Sequence, residues 1–354
     1  MNSPEKPYRI VAIGGGTGLS ALLHGLKRYA QRPGVNSLEE PLDATVDITA
    51  VVTVTDDGGS SGRLRREFEV LPPGDIRSCM VALSEAEPLL ARLFQYRFQA
   101  GRGLKGHSFG NLFLTALTDI TGDFHQAVKL SSEVLRIVGS IYPSTKANVA
   151  LEALLEDGTK VVGESRISKS TKRIARVRLR PVRCRPLKET IEAIARADLI
   201  TLGPGSLFTS VIPNLLVEGI PEAIRRSSAV KAYFVNLMWQ PGETQRFRAS
   251  DHVRAIYDHS GPELLDYAVV NVRAIRPSLK KKYAREEALP VEVDIDALSK
   301  LGVEVVAGNL LQESEKVRHD PDAVAAVALQ LSREGRLRRE LAAMDTGRAQ
   351  WRAH

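Results

Sequence analysis

The sequence contains few cysteines and no long apolar run. Its two cysteines, Cys79 and Cys184, lie far apart without CxxC spacing, so they indicate neither a zinc site nor a disulfide framework and favour ordinary buried thiols. No stretch approaches the roughly 20 apolar residues that cross a bilayer, and no hydrophobic segment precedes the first strand-like run. We therefore expect a cytoplasmic protein with no membrane span.

Aromatic residues are also scarce, at 5% of the chain, although the formal net charge is +7. Basic charge favours anionic ligands in general. Nucleic-acid-binding surfaces, however, combine basic residues with interleaved aromatics, and few aromatics accompany the basic residues here. We expect an anionic small molecule as partner and no specific nucleic acid.

The pattern of apolar residues predicts an α/β protein. Apolar residues make up 43% of the 354 positions, which is enough for a substantial core. β-branched runs alternate with apolar residues at helical spacing through most of the chain, as in α/β domains with a mainly parallel sheet. Within 138–182 the pattern becomes strand-like, and Ala150–Leu155, Lys160–Ser165 and Ile174–Pro181 predict a small antiparallel β insert.

These patterns divide the chain into four segments. Residues 1–137 and 183–320 form the two halves of the α/β domain, 138–182 form the insert, and 321–354 form a last helix (Pro321–Ser332) with a charged tail. Two segments lack clear periodicity and are predicted as loops, Gln31–Ala44 and the basic stretch Arg276–Glu287.

The stretch Ile10–Ser20 (IVAIGGGTGLS) predicts a strand-to-helix turn that binds phosphate. Leucines recur at helical spacing directly after Gly18, so the glycines stand at the start of a helix, where free N–H groups and the helix dipole favour an anion. A plain tight turn is the alternative, but three adjacent glycines exceed what a turn needs. No Lys-Ser/Thr pair follows, so this is not a P-loop, and GxGxxG is met only loosely. The ligand-binding candidates are Gly15, Gly16, Thr17 and Gly18.

A second candidate loop follows the β-branched run Val46–Thr55. In open α/β sheets ligands bind at the carboxyl ends of strands, and Asp56 and Asp57 stand at that end. They are suited to hold a divalent ion, orient a ribose hydroxyl or activate a nucleophile, and adjacent side chains diverge, so one of the two is expected to face the site. Ser60, Ser61 and Arg63 add donors for phosphate. The alternative is a helix cap followed by a solvated basic turn.

Five further loops carry candidates. Asp75 and Arg77 open a predicted helix, where a cation in the first turn is favoured only with an anionic partner, although Asp75 also suits a cap. His107 and Asn111 flank the expected cap Ser108, and a lone loop histidine is more often structural. A third glycine turn contains Gly203, Gly205 and Ser206. Asn236 and Asn271 end two strands, where they are suited to read a base or sugar or simply to form turns.

One charged stripe lies within the insert. Arg176, Arg178 and Arg180 share one face of a predicted strand, opposite Val177 and Leu179. The stripe is suited to bind an acidic partner, but a solvated strand face is the commoner explanation.

Six ordered blocks together resemble the bacterial gluconeogenesis factor family over roughly Tyr8 to Leu311. They are GGGTG at Gly14–Gly18, TDDGGSSGRLR at Thr55–Arg65, PPGDIR at Pro72–Arg77, HSFGNL at His107–Leu112, LGPGSLFTSVIPNLL at Leu202–Leu216 and NLMWQPGET at Asn236–Thr244. That family is similar in turn to the 2-phospho-L-lactate transferases of deazaflavin cofactor synthesis.

The resemblance implies a Rossmann-like, doubly wound α/β fold and a cytoplasmic protein. It implies that the protein binds a nucleotide or nucleotide sugar, with UDP-N-acetylglucosamine as the ligand associated with the family. The implied role is support of cell shape and of envelope precursor supply during growth on gluconeogenic carbon. A homodimer and a regulatory protein partner are consistent with that role.

The transferase relatives supply a rival hypothesis. In them, the carboxylate loop after the second strand holds magnesium and the deazaflavin hydroxyl that attacks a lactyl-phosphate donor. Here the resemblance implies Asp57 in that place, as catalytic residue and Mg²⁺ ligand, with Asp56 as the second choice. It also implies that Arg63 and Arg77 lie against phosphate. The run DDGGSSGRLR follows the gluconeogenesis factor pattern instead, which weakens this hypothesis.

A nicotinamide-dependent oxidoreductase ranks third. Such an enzyme usually needs an acid near the end of the second strand and a separate proton donor. Asp56 satisfies the first requirement, but the sequence specifies no donor.

Overall fold

The structure is a computed structural model that describes residues 6–30 and 45–351, so the loop predicted at Gln31–Ala44 lies outside the described residues. Its central sheet contains β1 (Tyr8–Gly14), β2 (Val46–Val52), β3 (Ser140–Pro143), β7 (Leu199–Leu202), β8 (Val230–Phe234), β9 (Tyr267–Asn271) and β10 (Glu304–Gly308). A second sheet contains β4 (Ala150–Leu155), β5 (Lys160–Val162) and β6 (Ile174–Arg180), and β11 (Leu311–Glu313) pairs with β12 (Val317–His319) in a hairpin.

The helices follow the strands in chain order. They are α1 (Gly16–Leu26), α2 (Gly59–Phe68), α3 (Gly74–Leu83), α4 (Pro88–Gln95), α5 (Phe109–Thr121), α6 (Phe124–Val134), α7 (Glu164–Ile167), α8 (Lys188–Arg196), α9 (Ile212–Leu215), α10 (Ile220–Arg226), α11 (Ala249–Ser260), α12 (Pro277–Ala284), α13 (Ile295–Lys300) and α14 (Pro321–Trp351). A 3-10 turn at Lys27–Tyr29 extends α1, and a π-helical turn at Leu207–Val211 precedes α9.

The central sheet is parallel throughout and confirms the predicted doubly wound α/β fold. Its strand order is β10-β9-β8-β7-β1-β2-β3. The chain therefore builds outward from β1 in one direction through β3 and then in the other from β7 to β10. The strand order reverses between β1 and β7, where Ile13 is in register with Leu202. In folds of this kind, ligands bind outside the carboxyl ends of the strands at that reversal.

The sequence patterns that predicted the sheet correspond to its buried strands. Ile10 to Ile13 of β1 are almost fully buried, as are Ala50 to Val52 of β2, which is typical of parallel strands covered by helices on both faces. The β2 strand is shorter than the predicted Val46–Thr55. It ends at Val52, although the Thr53 N–H still donates to the Gly14 carbonyl at the end of β1, at 2.9 Å.

The antiparallel insert is confirmed, with strand order β5-β4-β6. The strand predicted to reach Ser165 ends at Val162, because Gly163 (φ +104°) turns the chain into α7. Strand β3 also lies within 138–182, but it pairs with β2 in the central sheet. The division of the chain into four segments stays a prediction.

The predicted arginine stripe is partly neutralised inside the insert. Arg178 and Arg180 of β6 both form ion pairs with Glu152 of the adjacent strand β4. The side chain of Glu152 is only 3% exposed, whereas both arginines are half exposed. The three arginines do share a face, as predicted, and two of them balance a carboxylate of their own sheet.

Two assignments were wrong. The stretch Arg276–Glu287 is not a loop, because Pro277–Ala284 forms α12, which starts with a proline in its first turn and buries only Leu279. A helix with one buried side chain shows no apolar period in its sequence. The last helix does not end at Ser332 but continues to Trp351, because the supposed tail is rich in Ala, Leu, Arg and Glu, which favour helices.

A buried ion pair anchors α14 beneath the sheet. Arg336 donates to Asp198 Oδ2 at 2.8 Å and to the carbonyls of Lys6 and Pro7, and its guanidinium lies 4.6 Å from the ring centre of Tyr8. Asp198, just before β7, is fully buried and also accepts the Arg9 N–H at 2.8 Å. The pair therefore joins the last helix to the amino ends of β1 and β7.

The two cysteines and the apolar helices remain to be compared with the sequence predictions. Cys79 and Cys184 are free and buried, as predicted. Within residues 6–30 and 45–351, no single helix is long and apolar enough to cross a membrane. The segments Leu207–Leu215 and Ile220–Arg226 have the length and apolar composition of a membrane span only when they are taken together, and the pair is bent by 75°.

Replacing Arg336 by alanine should lower the free energy of unfolding by about 2 kcal/mol, because Asp198 loses the charged hydrogen bonds to its Oδ2 and keeps only Arg339, which lies 2.7 Å from its Oδ1, as arginine partner. Urea unfolding followed by circular dichroism measures the change. Arg28→Ala is the matched control: Arg28 pairs with Asp322 of the same helix at 2.6 Å, but both side chains are more than 60% exposed, so no measurable loss is expected. Equal losses in the two variants would contradict the anchoring role of Asp198.

Candidate functional site

Two glycine turns meet where the strand order reverses. The turn Gly14–Gly18 follows β1, the turn Gly203–Ser206 follows β7, and the N–H of Gly203 donates to the Ile13 carbonyl at 2.8 Å. A Cβ atom on Gly18 would collide with the carbonyl of Pro204, so only glycine permits this approach of the two backbones. The turns after β1 and β7 therefore meet at one edge of the sheet.

A cavity of about 1010 Å³ opens beside these turns. It lies along α1, between α3 and α4 on one side and the β11–β12 hairpin on the other. Its volume is at the upper end for small-molecule sites. The predicted site residues that line it are Gly15, Gly16, Thr17, Gly18, Arg77, Gly205, Ser206 and Asn236.

The start of α1 presents backbone donors to this cavity. Gly15 precedes the helix in an extended conformation, and Gly16 is in the left-handed region at φ +63°. The Gly16 N–H donates a hydrogen bond to Asp75. Thr17 and Gly18, the next residues of the first turn, line the cavity. N–H groups of a helix's first turn have no intrahelical acceptor, so this end of the cavity favours an anion.

Asp75 lies beneath the glycine turn as a buried carboxyl group. Its Oδ2 stands 2.6 Å from the position that a Cβ of Gly15 would occupy. Burial, together with the negative charge of Asp56, raises the pKa of Asp75 to about 6, against the opposing effects of the Gly16 N–H and Arg77. Asp75 thus links the glycine turn to the turn that contains Asp56 and Asp57 (residues 56–61, the aspartate turn).

The two adjacent aspartates point in different directions, as expected from their neighbouring positions. Asp56 Oδ1 accepts the Gly58 N–H at 2.8 Å, and its Oδ2 lies 3.0 Å from the position of a Cβ on Gly74, the residue before Asp75. Asp57 Oδ1 instead accepts the N–H of Ser165 in the insert, at 2.8 Å. Asp56 therefore faces the glycine turn and Asp57 faces the insert. The role of Asp57 as catalytic residue or metal ligand stays a prediction.

The serines of the aspartate turn belong to a buried polar network behind the cavity. Ser60 Oγ and His107 Nδ1 are 2.9 Å apart, and the Asn111 amide donates to Ser60 Oγ at 3.2 Å and to Ser61 Oγ at 3.4 Å. Ser108 caps α5 by accepting the Asn111 N–H, as predicted. Burial, followed by the charge of Arg63, lowers the pKa of His107. None of the four network side chains is among the residues that line the large cavity.

The two predicted phosphate-binding arginines differ in placement. Arg63 donates to the carbonyl of Lys105 at 2.8 Å, outside the cavity. Arg77 lines the cavity, and burial lowers its pKa from the usual value. Its Nε is buried and has no hydrogen-bond partner among the described residues. An anionic ligand would supply that partner.

Asn236 and Asn271, treated alike in the sequence, have different surroundings. Asn236 donates to Gln240 Oε1 at 2.9 Å, and Gln240 donates to Ser206 Oγ at 2.6 Å. This series of hydrogen bonds leaves Asn236 Oδ1 buried and without a partner in the described part of the structure. Asn271, in contrast, bonds to Arg273 and Leu310 and lies outside the large cavity. Asn236 therefore retains an acceptor for a ligand, and Asn271 shapes a loop.

Sequence reasoning missed one wall of the cavity. Tyr283 on α12 and Arg318 and His319 on β12 line this wall. Strands of three residues that are joined without glycine show no readable strand pattern in the sequence, so the β11–β12 hairpin was missed. Helix α12 was missed because its segment was predicted as a loop. Burial lowers the pKa of His319 to about 4, so its imidazole is neutral at pH 7, and its Nε2 has no partner among the described residues.

Two buried carboxyl groups were missed as well. Burial raises the pKa of Glu164 in α7 well above its usual value, with Asp56 and Asp75 adding to the effect. Burial also raises the pKa of Glu243 to about 7, although Ser168 and Thr209 donate to it. Both residues lie where the insert packs against the loops of the central sheet, a contact that no sequence pattern reveals.

The donor set allows a magnesium ion only with help from a ligand. Within the described ranges, no group of three or more His, Cys, Asp or Glu side chains is arranged to hold a metal. Asp56 and Asp75 nevertheless offer two neighbouring carboxylates beside the anion-binding turn. Mg²⁺ is commonly held by one or two carboxylates together with phosphate oxygens and water. The residues present fit that arrangement.

Comparison with known proteins shows where this chain belongs. The family model for 2-phospho-L-lactate transferase CofD matches residues 10–311, a range that contains both glycine turns and the aspartate turn. The chain belongs to this family. The predicted resemblance is thereby confirmed at the family level.

Individual relatives refine the placement. A protein of Halalkalibacterium halodurans named gluconeogenesis factor is 48% identical over 326 residues, which cover 92% of this chain and 97% of the relative. The Bacillus subtilis gluconeogenesis factor is 48% identical over 331 residues, covering 93% and 99%. A crystal structure of a Bacillus halodurans protein, also 48% identical, superposes with a TM-score of 0.86 and covers 92% of this chain and 100% of that one.

Replacing Asp75 by asparagine should stabilise the protein at neutral pH. The pKa of Asp75 is raised in the folded state from 3.8 to about 6, so folding loses free energy as the pH rises through this interval. Asparagine removes the charge and keeps an oxygen for the Gly16 N–H. A gain of roughly 2–3 kcal/mol is expected at pH 7.5, with little change near pH 4. Urea unfolding at both pH values measures it, and a gain that does not depend on pH would contradict the burial of this charge.

Proposed function

We propose that the chain binds a nucleotide sugar of the UDP-N-acetylglucosamine type in the cavity at the strand-order reversal. One observation carries the proposal: the first turn of α1, held against a second glycine turn, borders a cavity of about 1010 Å³. Such a helix start binds phosphate through backbone N–H groups. The volume accommodates a ligand that extends well beyond its phosphates.

The cavity walls suit the parts of such a ligand. The diphosphate would lie against Thr17, Gly18 and Arg77, whose Nε has no partner within the described structure. The nucleoside and sugar would extend toward Asn236 and the wall that contains Trp239 and Tyr283. Aromatic side chains with a few acceptors are typical of sites for planar and hydroxylated groups.

We infer a regulatory role in the cytoplasm, with support of cell shape and envelope precursor supply during growth on gluconeogenic carbon. The names of the relatives support the metabolic context of this inference. A sensor of a nucleotide sugar would connect carbon supply to envelope synthesis, because such sugars are envelope precursors. A homodimer and a regulatory protein partner remain part of this proposal.

Replacing Asn236 by alanine should weaken UDP-N-acetylglucosamine binding about tenfold, the effect of one lost hydrogen bond. Isothermal titration calorimetry measures the affinity. Asn271→Ala is the matched control, since Asn271 also ends a strand but bonds only within the protein, to Arg273 and Leu310. It should lower stability and leave the affinity unchanged.

Two results would overturn the proposal. One is the absence of binding heat for the wild type with UDP-N-acetylglucosamine, uridine diphosphate and related nucleotides. The other is an equal loss of affinity in the Asn236 and Asn271 variants, because that would place the ligand outside the cavity.

A magnesium-dependent phospholactyl transferase is the second candidate. The carboxylates of Asp56 and Asp75 beside the glycine turn favour it, since they would hold the cation while Arg77 binds phosphate. Wild-type protein incubated with Mg²⁺, lactyl-diphosphoguanosine and the deazaflavin acceptor is the test, with mass spectrometry as the readout. We expect unmodified deazaflavin. Formation of the phospholactyl product, lost in Asp56→Asn, would establish the transferase instead.

A further inference from the structure

Asp57 is engaged by the insert rather than by the cavity. Its Oδ1 accepts the N–H of Ser165, the second residue of α7, at 2.8 Å. A Cβ on Gly163 would collide with its other oxygen, Oδ2, so the insert has room for this carboxylate only because residue 163 is glycine. The carboxylate thus fills a space shaped for it at the start of α7.

Other contacts join the same two segments. Thr55 Oγ1 donates to Glu164 Oε2 at 3.3 Å, one residue before the aspartates. A Cβ on Gly58 would stand 2.8 Å from Ser165 Oγ, one residue after them. The aspartate turn and the start of α7 therefore interlock over several consecutive residues, with Asp57 at the centre.

The helix α7 depends on this contact. It has four residues, and its N-terminal cap position is Gly163, which has no side chain to accept the free N–H groups of the first turn. Asp57 supplies that acceptor from a segment 108 positions earlier in the chain. A charged acceptor makes a stronger hydrogen bond than a neutral one.

Asp56, the neighbour of Asp57, lies on the other side of the turn. Its carboxylate contributes to the pKa of Asp75, Arg77 and Glu164, so it lies among the charged groups next to the glycine turn. Since adjacent side chains diverge, anchoring Asp57 to the insert fixes Asp56 on the other side, beside Gly74 and the glycine turn.

We propose that Asp57 is a positioning residue: its carboxylate locks α7 of the insert to the aspartate turn and so holds Asp56 beside the glycine turn. Asp57 then contacts neither ligand nor metal. The consequence for ligand binding rests on the proposed function, whereas the lock between Asp57 and Ser165 is a property of the free protein.

Hydrogen exchange of the Ser165 amide tests the lock directly in the full-length chain. Asp57→Ala removes the acceptor and should speed exchange at least tenfold. Asp57→Asn keeps an oxygen at the same position and should stay within threefold of wild type. Unchanged exchange in Asp57→Ala, or equally fast exchange in both variants, would overturn the proposal.

A change on the other side of the contact gives an independent test. Gly163→Ala places a methyl group where Asp57 Oδ2 lies and should reproduce the fast exchange of Asp57→Ala. Gly158→Ala is the matched control in the same insert, because Gly158 also has a positive φ (+83°) but no atom within 4 Å of the added Cβ. Equal effects of the two glycine variants would show that backbone strain, not displacement of Asp57, is responsible.

Binding of UDP-N-acetylglucosamine in the presence of Mg²⁺ distinguishes positioning from ligation. A positioning role predicts about tenfold weaker binding for Asp57→Ala and recovery of most of that loss in Asp57→Asn. A metal ligand requires the negative charge, so equal damage in both variants would overturn the proposal. If the wild type does not bind this nucleotide sugar, the proposed function fails, and the Ser165 exchange rates still decide whether the lock exists.

Discussion

The approach of two backbones at the strand-order reversal is the constraint on which the rest of the structure depends. Gly18 at the start of α1 packs directly on the backbone of Pro204 after β7, and a side chain at position 18 would have no room at that contact. This contact places the free N–H groups of α1 at the edge of the cavity. Everything else that faces the cavity, from Arg77 to the hairpin β11–β12, is arranged around that point.

Charge burial is the second organising feature. Asp56, Asp75 and Glu164 influence one another electrostatically beside a turn that favours anions, and Glu243 lies near Glu164. Such an arrangement costs stability, because burial raises the pKa of Asp75, Glu164 and Glu243. Arg77 and the Gly16 N–H offset part of this cost. Sites that bind ligands commonly keep perturbed groups of this kind, and here they concentrate where the insert meets the central sheet.

Local patterns predicted the framework correctly, since the signals depend on residues close in sequence. β-branched runs, leucines at helical spacing and glycines between them predicted β1, α1 and the parallel sheet, and the strand-like runs Ala150–Leu155 and Lys160–Ser165 predicted the first two strands of the insert. The errors occurred where local signals are weak. Helix α12 buries only Leu279, and the strands of the β11–β12 hairpin contain three residues each, so neither shows a readable period.

The sequence by itself determined the α/β class, the three glycine-rich or acidic turns and their position at the carboxyl ends of strands, because parallel strands place successive loop ends at one edge. Only the tertiary structure decided which side chains share a site. It turned Asp56 toward the glycine turn and Asp57 toward Ser165, it left Arg63 at Lys105, and it brought Tyr283 and His319 to the cavity. Those choices depend on contacts between segments far apart in the chain, and no local pattern encodes the direction in which a loop side chain points.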